Sequence, residues 1–279
     1  MKIIDIIKSK KPTLSFEIFP PKEGVVLNTD AILSGLTALK PDFISVTSGA
    51  GGGGGRGTLD VAQRIKNEFK TESIMHLVCS GADGASIGDA LGRAEAFGID
   101  NVLALRGDRV EPNAEFCHAS DLIRVIDKRK FCVGAAAYPE GHIDSPSLNA
   151  DLEYLKQKAD LGADFFTTQL FFDNALFYNF REKARKNDIY TPILCGIMPI
   201  LSKGQISRMI FMCGVSLPGE VVKILYKYEN DEESLVKAGI EYAAKQIDGL
   251  IEHGAEGIHI YTMNKPEIAK KIIGASRKL

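Results

Sequence analysis

The 279-residue chain lacks the features that mark membrane, secreted or nucleic-acid-binding proteins. It has no apolar run of transmembrane length. Its first twelve residues contain neither a long apolar stretch nor a small-residue cleavage site, so no signal peptide is expected. The 34 basic and 36 acidic side chains give a net charge of −2, and the two signs are interspersed. Neither nucleic acid nor a membrane surface is therefore expected as a partner.

Cysteine is also scarce. The five cysteines are widely spaced and never form a CxxC pair, which argues against a disulfide framework and against a structural zinc site. No metal is expected, and a reducing cytoplasm is the expected location. Three of the five lie in apolar, strand-like runs, where a thiol acts as a small buried hydrophobic group.

Hydrophobic periodicity predicts eight strands that alternate with helices. The predicted strands are 13–19, 42–48, 73–79, 101–106, 131–138, 164–170, 192–198 and 257–262. The predicted helices are 29–39, 58–69, 86–96, 119–129, 147–161, 174–186, 203–213 and 266–277. Eight βα units in about 250 residues favour an α/β fold of the (β/α)₈ (TIM) barrel type over an open doubly wound sheet. We expect one catalytic barrel domain, 1–279.

An insertion between strands seven and eight, residues 218–252, predicts extra helix. Asn230 and Glu233 have the spacing of a capping box at its start. Apolar residues at helical spacing predict its buried face; they are Leu235, Val236, Ile240, Ala243, Ile247 and Ile251.

Polar residues lie at or near the ends of most predicted strands. In a (β/α)₈ barrel the carboxyl ends of all strands meet at one face, and that face carries the active site. We therefore expect these side chains to converge there. They are Glu17, Thr47, His76, Arg106, Gly107, Asp108, Tyr138, His142, Gln169, Tyr261 and Thr262.

Glu17 is the most informative of these residues because it lies inside an apolar strand, between Phe16 and Ile18. Burying a carboxylate costs several kcal/mol unless it is neutralised or partnered. A buried carboxyl group that keeps its proton near neutral pH can serve as a general acid. The alternative is an ion pair at the barrel rim. His76, in the middle of a strand, is either a hydrogen-bonded core histidine or a ligand-binding residue.

Two further charged pairs are candidates. Arg106 and Asp108 follow the fourth strand and could place opposite charges on one ligand, unless they form a plain surface turn. Asp151 and Lys158 are seven residues apart and share a helix face. They either reach a ligand across the barrel mouth or lie on a solvated face.

The glycine-rich segment 49–55 contains a GxGxxG match after a strand. Successive glycines match such patterns by chance and give no defined turn, and eight βα units do not suit a Rossmann half. A loop that opens over the barrel mouth is the favoured interpretation.

Taken together, the motifs resemble those of methylenetetrahydrofolate reductases over nearly the whole chain. The matching segments begin at the residues numbered here: FEIFPPK at 16, FISVTSGAG at 43, HLVC at 76, NVLALRGD at 101, AAYPEGH at 136, ADLEYLKQKADLGADFFTTQLFFD at 150, GIMPI at 196 and HIYTMNK at 259.

This resemblance implies an oxidoreductase of one-carbon metabolism that binds FAD at the barrel mouth. NADH or NADPH would reduce the flavin and leave before 5,10-methylenetetrahydrofolate enters and is reduced to 5-methyltetrahydrofolate. By motif, Glu17 would be the general acid and Asp108 would stabilise the folate cation. The implied FAD contacts are Thr47, Ser48, Ala50, His76, Arg106, Gly107, Asp108, Tyr138, His142, Asp151 and Lys158. The implied substrate contacts are Gln169, Gln205, Tyr261 and Lys265.

The sequence departs from the family pattern in places that concern the electron donor. Ser48 stands where an aromatic residue is usual, Gln157 replaces a basic residue, and Lys265 replaces an arginine that could form a two-pronged contact. Two alternatives therefore stay open: a pterin-binding barrel without a redox step, such as a methyltransferase, and a flavin subunit that receives electrons from a partner protein. Family members are commonly homo-oligomers.

Overall fold

The fold is a closed barrel of eight parallel strands in sequence order, as the periodicity predicts. It is taken from a computed structural model that describes residues 1–21, 28–48, 56–107 and 115–279. The strands are β1 Thr13–Ile18, β2 Phe43–Val46, β3 Glu72–Val78, β4 Asn101–Leu105, β5 Cys132–Ala137, β6 Phe165–Thr168, β7 Ile193–Ile197 and β8 Gly257–Tyr261. The barrel closes where β1 pairs with β8, Glu17 opposite Tyr261.

Helices follow the strands as the βα pattern requires. They are α1 Ile3–Ser9, α2 Thr29–Thr37, α3 Arg56–Asn67, α4 Gly84–Ala96, α5 Ala119–Val125, α6 Leu148–Asp160, α7 Asn174–Lys186, α8 Lys203–Cys213, α9 Gly219–Lys227, α10 Glu232–Glu252 and α11 Pro266–Ala275. The insertion after β7 thus contains two helices, α9 and α10. No helix in the described part of the chain is long and apolar enough to cross a membrane.

Three local predictions were wrong. The helix predicted at 119–129 ends at Val125, because Ile126 has extended backbone angles and residues 127–130 turn into β5. The cap of α10 is Asp231, whose side chain accepts the Ser234 N–H, and not Asn230. Helix α1 was not predicted, since its seven residues are too few for a clear period.

Helix α1 closes the amino-terminal end of the barrel. Its Ile3, Ile4 and Ile7 are buried and pack with inward-facing strand residues in one apolar cluster. The strand residues of this cluster are Phe43, Ile74, Leu103, Cys132, Phe165 and Leu194. The barrel interior is therefore mainly apolar at this end, where the buried Asn101 accepts the N–H of Ile3 and donates to the Ser73 carbonyl oxygen.

The outward-facing strand residues pack against the surrounding helices. Phe16, Ile44, Val102 and Ile258 belong to this second, larger core, which is buried from solvent throughout. The stripe predicted on α10 lies in these cores. Leu235, Ile240, Ala243 and Ile247 are buried, whereas Val236 and Ile251 are partly buried.

Shortening Ile7 should destabilise the protein, because it leaves a cavity where α1 closes the barrel. We expect Ile7→Ala to lower the free energy of unfolding by about 2–4 kcal/mol in urea titrations. Lys8→Ala, on the exposed face of the same helix, is the matched control and should have little effect. Equal stability of the two variants would show that α1 does not contribute to the barrel core.

Candidate active site

Glu17 lies between two histidines near the carboxyl end of the barrel. Its Oε2 is 3.6 Å from Nε2 of His76 on β3 and 3.5 Å from Nε2 of His259 on β8. The side chain of Glu17 is 13% exposed, whereas those of the histidines are 6% and 2% exposed. The carboxyl group is thus enclosed at its sides and retains access to the mouth. The prediction that Glu17 is held against core groups is confirmed.

Two serines contact these histidines, one of them at the same His76 nitrogen that faces Glu17. Ser45 Oγ is 2.6 Å from Nε2 of His76, and Ser15 Oγ is 2.8 Å from Nδ1 of His259. Burial lowers the pKa of His76 to about 4, against the opposing effect of the Glu17 charge. His76 is therefore neutral at pH 7 and is a hydrogen-bonded core histidine that also contacts Glu17.

Tyr261 forms the next part of the mouth, across from Glu17 in the β1–β8 register. Its hydroxyl donates to the carbonyl oxygen of Thr168 at 2.7 Å. Burial, with the nearby charge of Glu17, raises the pKa of Tyr261 well above its ordinary value. The ring lies against Gly196, where a Cβ atom would be 2.7 Å from the Tyr261 hydroxyl and 2.4 Å from the Thr168 carbonyl oxygen. Only glycine leaves room for this ring.

A second group of side chains lies on the loops after β4 and β5. Nη2 of Arg106 is 2.7 Å from Oδ2 of Asp144, and the backbone N–H of Asp144 donates to Nδ1 of His142 at 3.0 Å. Burial and the Arg106 charge lower the pKa of His142. The ring of His142 meets the Tyr138 ring edge to face, with centroids 4.7 Å apart.

Lys158 joins this group from α6. Its Nζ donates to the carbonyl oxygen of Ala136 and lies 5.7 Å from the centroid of the Tyr138 ring. Burial lowers the pKa of Lys158 to about 8, and the Asp151 charge acts in the opposite direction. Burial raises the pKa of Asp151. Asp151 and Lys158 therefore share one helix face, as their spacing predicts, and their burial shows that this face is not freely solvated.

The remaining predicted residues lie on the segments that follow β2, β6, β7 and β8. Gln169 follows β6, and its Oε1 accepts the N–H of Leu170. Gln205 is in the first turn of α8, where its Oε1 accepts the N–H of Leu201 and its Nε2 is buried without a hydrogen-bond partner among the described residues. Thr47 and Ser48 follow β2, and Ser48 Oγ is likewise buried without a described partner. Lys265 is exposed at the start of α11.

Some predictions lie outside the described residues, namely those on Asp108, Ala50 and the glycine segment 51–55. Gly107 is described, and its φ of +96° is a backbone conformation that favours glycine. In the described ranges, no group of three or more His, Cys, Asp or Glu side chains is arranged to hold a metal ion.

Sequence reasoning missed His259 and Asp144. His259 could have been found, because it lies two residues before Tyr261 in a strand and side chains at that spacing point to the same face. Asp144 lies in an irregular loop, and its pairing with Arg106 spans 38 residues. No local pattern predicts such a contact.

The fold and the site together define a class of protein. It is a (β/α)₈ barrel with an enclosed carboxyl group at its mouth and, beside that group, a cluster that contains the cations Arg106 and Lys158. Residues 2–277 match the family described as methylenetetrahydrofolate reductase, and the chain belongs to this family. It is 33% identical over 282 residues to the 5,10-methylenetetrahydrofolate reductase of Buchnera aphidicola, covering 96% of this chain and 95% of that protein. The resemblance read from the motifs is confirmed.

Eukaryotic relatives are longer. The chain is 36% identical over 298 residues to methylenetetrahydrofolate reductase (NADH) 1 of Arabidopsis thaliana, with 98% of this chain and 50% of that protein covered. The chain thus spans about half the length of the plant and yeast relatives. A Clostridium thermocellum protein of solved structure, described as binding two copies of 5-methyl-5,6,7,8-tetrahydrofolic acid, shares the fold. The TM-score is 0.68 at 15% identity, with 99% of this chain and 98% of that one covered.

The depressed pKa of His76 should make stability depend on pH. Because the folded protein holds this pKa near 4 and the unfolded chain has the ordinary value of 6.5, the unfolded state binds more protons between these values. This contribution to stability is complete above pH 6.5 and is lost as the pH falls toward 4. His76 contributes at most about 1.4 kcal/mol per pH unit to the dependence of the free energy of unfolding on pH.

Histidine side-chain NMR titration provides the direct measurement. We expect the His76 ring to remain neutral at pH 5.5. Titration of His76 near pH 6.5 would contradict the burial argument.

Proposed function

We propose that this protein reduces 5,10-methylenetetrahydrofolate to 5-methyltetrahydrofolate, with FAD as cofactor and NADH or NADPH as electron donor. The observation that carries the proposal is the placement of Glu17, enclosed by two histidines and open toward the mouth. Membership of the family supports the reaction class. The names of the relatives include NADH-dependent enzymes.

The residues beside Glu17 fit a flavin dinucleotide. Arg106 and Lys158 offer two cations for a diphosphate, and Tyr138 offers an aromatic ring next to Lys158. Among the described residues the buried Oγ of Ser48 and Nε2 of Gln205 have no hydrogen-bond partner, so both could bond a ligand. When bound, FAD would supply two-electron transfer between the nicotinamide and the folate.

Asp144 and Asp151 would complete the cofactor site. Asp144 is 60% exposed and holds Arg106, so its ion pair can rearrange at little cost when a phosphate arrives. Asp151 partly offsets the charge of Lys158. A phosphate near Lys158 would add a second opposite charge and favour the protonated amine.

Glu17 would deliver a proton to the ring nitrogen that leaves when the five-membered ring of the folate opens. His76 supports this role because it is neutral at pH 7 and therefore places no positive charge beside the Glu17 carboxyl group. Ser45 and Ser15 fix the two imidazoles, so the carboxyl group has a defined position before substrate binds. Asp108 would stabilise the resulting cation, as the motif implies.

Replacing Glu17 should separate the two half-reactions. Glu17→Gln removes the proton donor while keeping the size and hydrogen bonding of the side chain. In anaerobic stopped-flow experiments, we expect bleaching of the flavin by the donor to continue at a near-normal rate. Reoxidation by methylenetetrahydrofolate should slow by about 100-fold or more, the typical contribution of a general acid.

The same experiment tests the alternatives. Equal loss of both half-reactions in Glu17→Gln would remove Glu17 from the acid role. Purified protein that cannot be reconstituted with FAD would favour a pterin enzyme without a redox step. Flavin that dithionite bleaches, but NADH and NADPH do not, would favour electron delivery by a partner protein.

Removing the amine of Lys158 should weaken flavin binding. Lys158→Met keeps most of the apolar stem, so the change is mainly the loss of a charge facing the proposed diphosphate. We expect the dissociation constant for FAD to rise roughly 10- to 100-fold, as for loss of a charge-assisted contact. Lys156→Met is the control, because Lys156 pairs with Asp160 on the outer part of the same helix. An equal effect of the two substitutions would contradict the proposed site.

A further inference from the structure

We propose that Glu140 is a positioning residue that ties helix α8 to the loop after β5 and thereby sets the place of α8 at the folate side of the mouth. The inference rests on the proposed function, since Gln205 of α8 is a substrate contact only by family resemblance. It gives a role to Glu140, which is not among the site residues predicted from the sequence.

Helix α8 packs through a short apolar stripe formed by Ile206, Met209, Ile210 and Cys213. Ile206 is its buried residue, and near its carboxyl end Phe211 is 81% and Met212 is 58% exposed. Of the four residues of this stripe only Ile206 is fully buried, and the other three are partly buried. Its position therefore depends more than usual on contacts at its ends.

The contact at the carboxyl end comes from Glu140. Helix α8 ends at Cys213, Gly214 caps it in the left-handed conformation, and the backbone N–H of Ser216 donates to Oε2 of Glu140 at 3.0 Å. The other oxygen, Oε1, is buried without a hydrogen-bond partner among the described residues. The link thus uses a single carboxylate oxygen, which a glutamine amide oxygen can replace.

The end of α8 that Glu140 holds is close to the reacting groups. Burial is the largest cause of the raised pKa of Tyr261, and charge on Cys213 and on Tyr138 adds to it. Cys213 also belongs to the apolar cluster that includes Tyr261. A shift of α8 would therefore change the surroundings of Tyr261 at the mouth.

The loop that carries Glu140 has its own supports. The N–H of Gly141 donates to the Tyr138 carbonyl oxygen at 3.0 Å, and the N–H of Ser145 donates to the His142 carbonyl oxygen at 2.8 Å. Arg106 holds Asp144 of the same loop. Loss of the Glu140 side chain should consequently let the carboxyl end of α8 shift and leave Arg106 and Asp144 in place.

Substituting Glu140 should therefore weaken folate binding selectively. For the FAD-loaded protein with Glu140→Ala, we expect the dissociation constant for 5-methyltetrahydrofolate, measured by calorimetry, to rise roughly fivefold, as for loss of one hydrogen bond. The dissociation constant for FAD and the rate of flavin bleaching by NADH should stay unchanged. Glu140→Gln should restore folate affinity.

Two further variants separate positioning from general damage. Ser216→Pro removes the donor while Glu140 remains, so it should weaken folate binding like Glu140→Ala, and the double variant should be no weaker than the worse single one. Glu153→Ala changes an exposed carboxylate of α6 and should have no effect.

The inference is overturned if both Glu140→Ala and Ser216→Pro bind folate normally, if Glu140→Gln is as weak as Glu140→Ala, or if FAD affinity falls in parallel. Unaltered protein that binds no methyltetrahydrofolate would instead refute the proposed function itself. Variants that do not fold, judged by thermal melting, would mark Glu140 as a stability residue and also overturn the inference.

Discussion

A carboxyl group inside a barrel must be supported from several sides, and Glu17 is supported by two imidazoles that are themselves fixed by serines. This arrangement requires inward-facing polar residues at the same level along the barrel axis on β1, β2, β3 and β8. It is possible only because the barrel closes between β1 and β8, which brings His259 beside a residue 242 positions earlier in the chain. The position of the acid therefore depends on closure of the whole sheet.

The barrel separates two environments along one axis. At the amino-terminal end α1 and large apolar side chains fill the interior, and at the other end polar side chains line it. The apolar end supplies stability without involving the site. At the other end the buried Oγ of Ser48 and Nε2 of Gln205 have no hydrogen-bond partner among the described residues. The loops after β4, β5 and β7 can therefore specialise in binding without weakening the core.

Most of the architecture could be predicted from the sequence, because eight apolar runs with helical segments between them leave few other folds. The strand ends then identified Glu17, Tyr138 and Tyr261 through a rule about where parallel strands meet. The rest could not be predicted in the same way. Pairs such as Arg106 with Asp144 and Glu140 with Ser216 join segments 38 and 76 residues apart. Such contacts arise from tertiary packing, and no local spacing encodes them.

Gly196 of β7 determines how closely the ring of Tyr261 can approach the neighbouring strands. Gly196 gives β7 no side chain at the point where the phenol of Tyr261 leans across toward β6. Strand interiors normally disfavour glycine, so its presence weakens the strand locally. In return the phenol comes close enough to Thr168 to donate its hydrogen bond at 2.7 Å. An alanine at this position would displace the phenol and break the contact that joins β8 to β6.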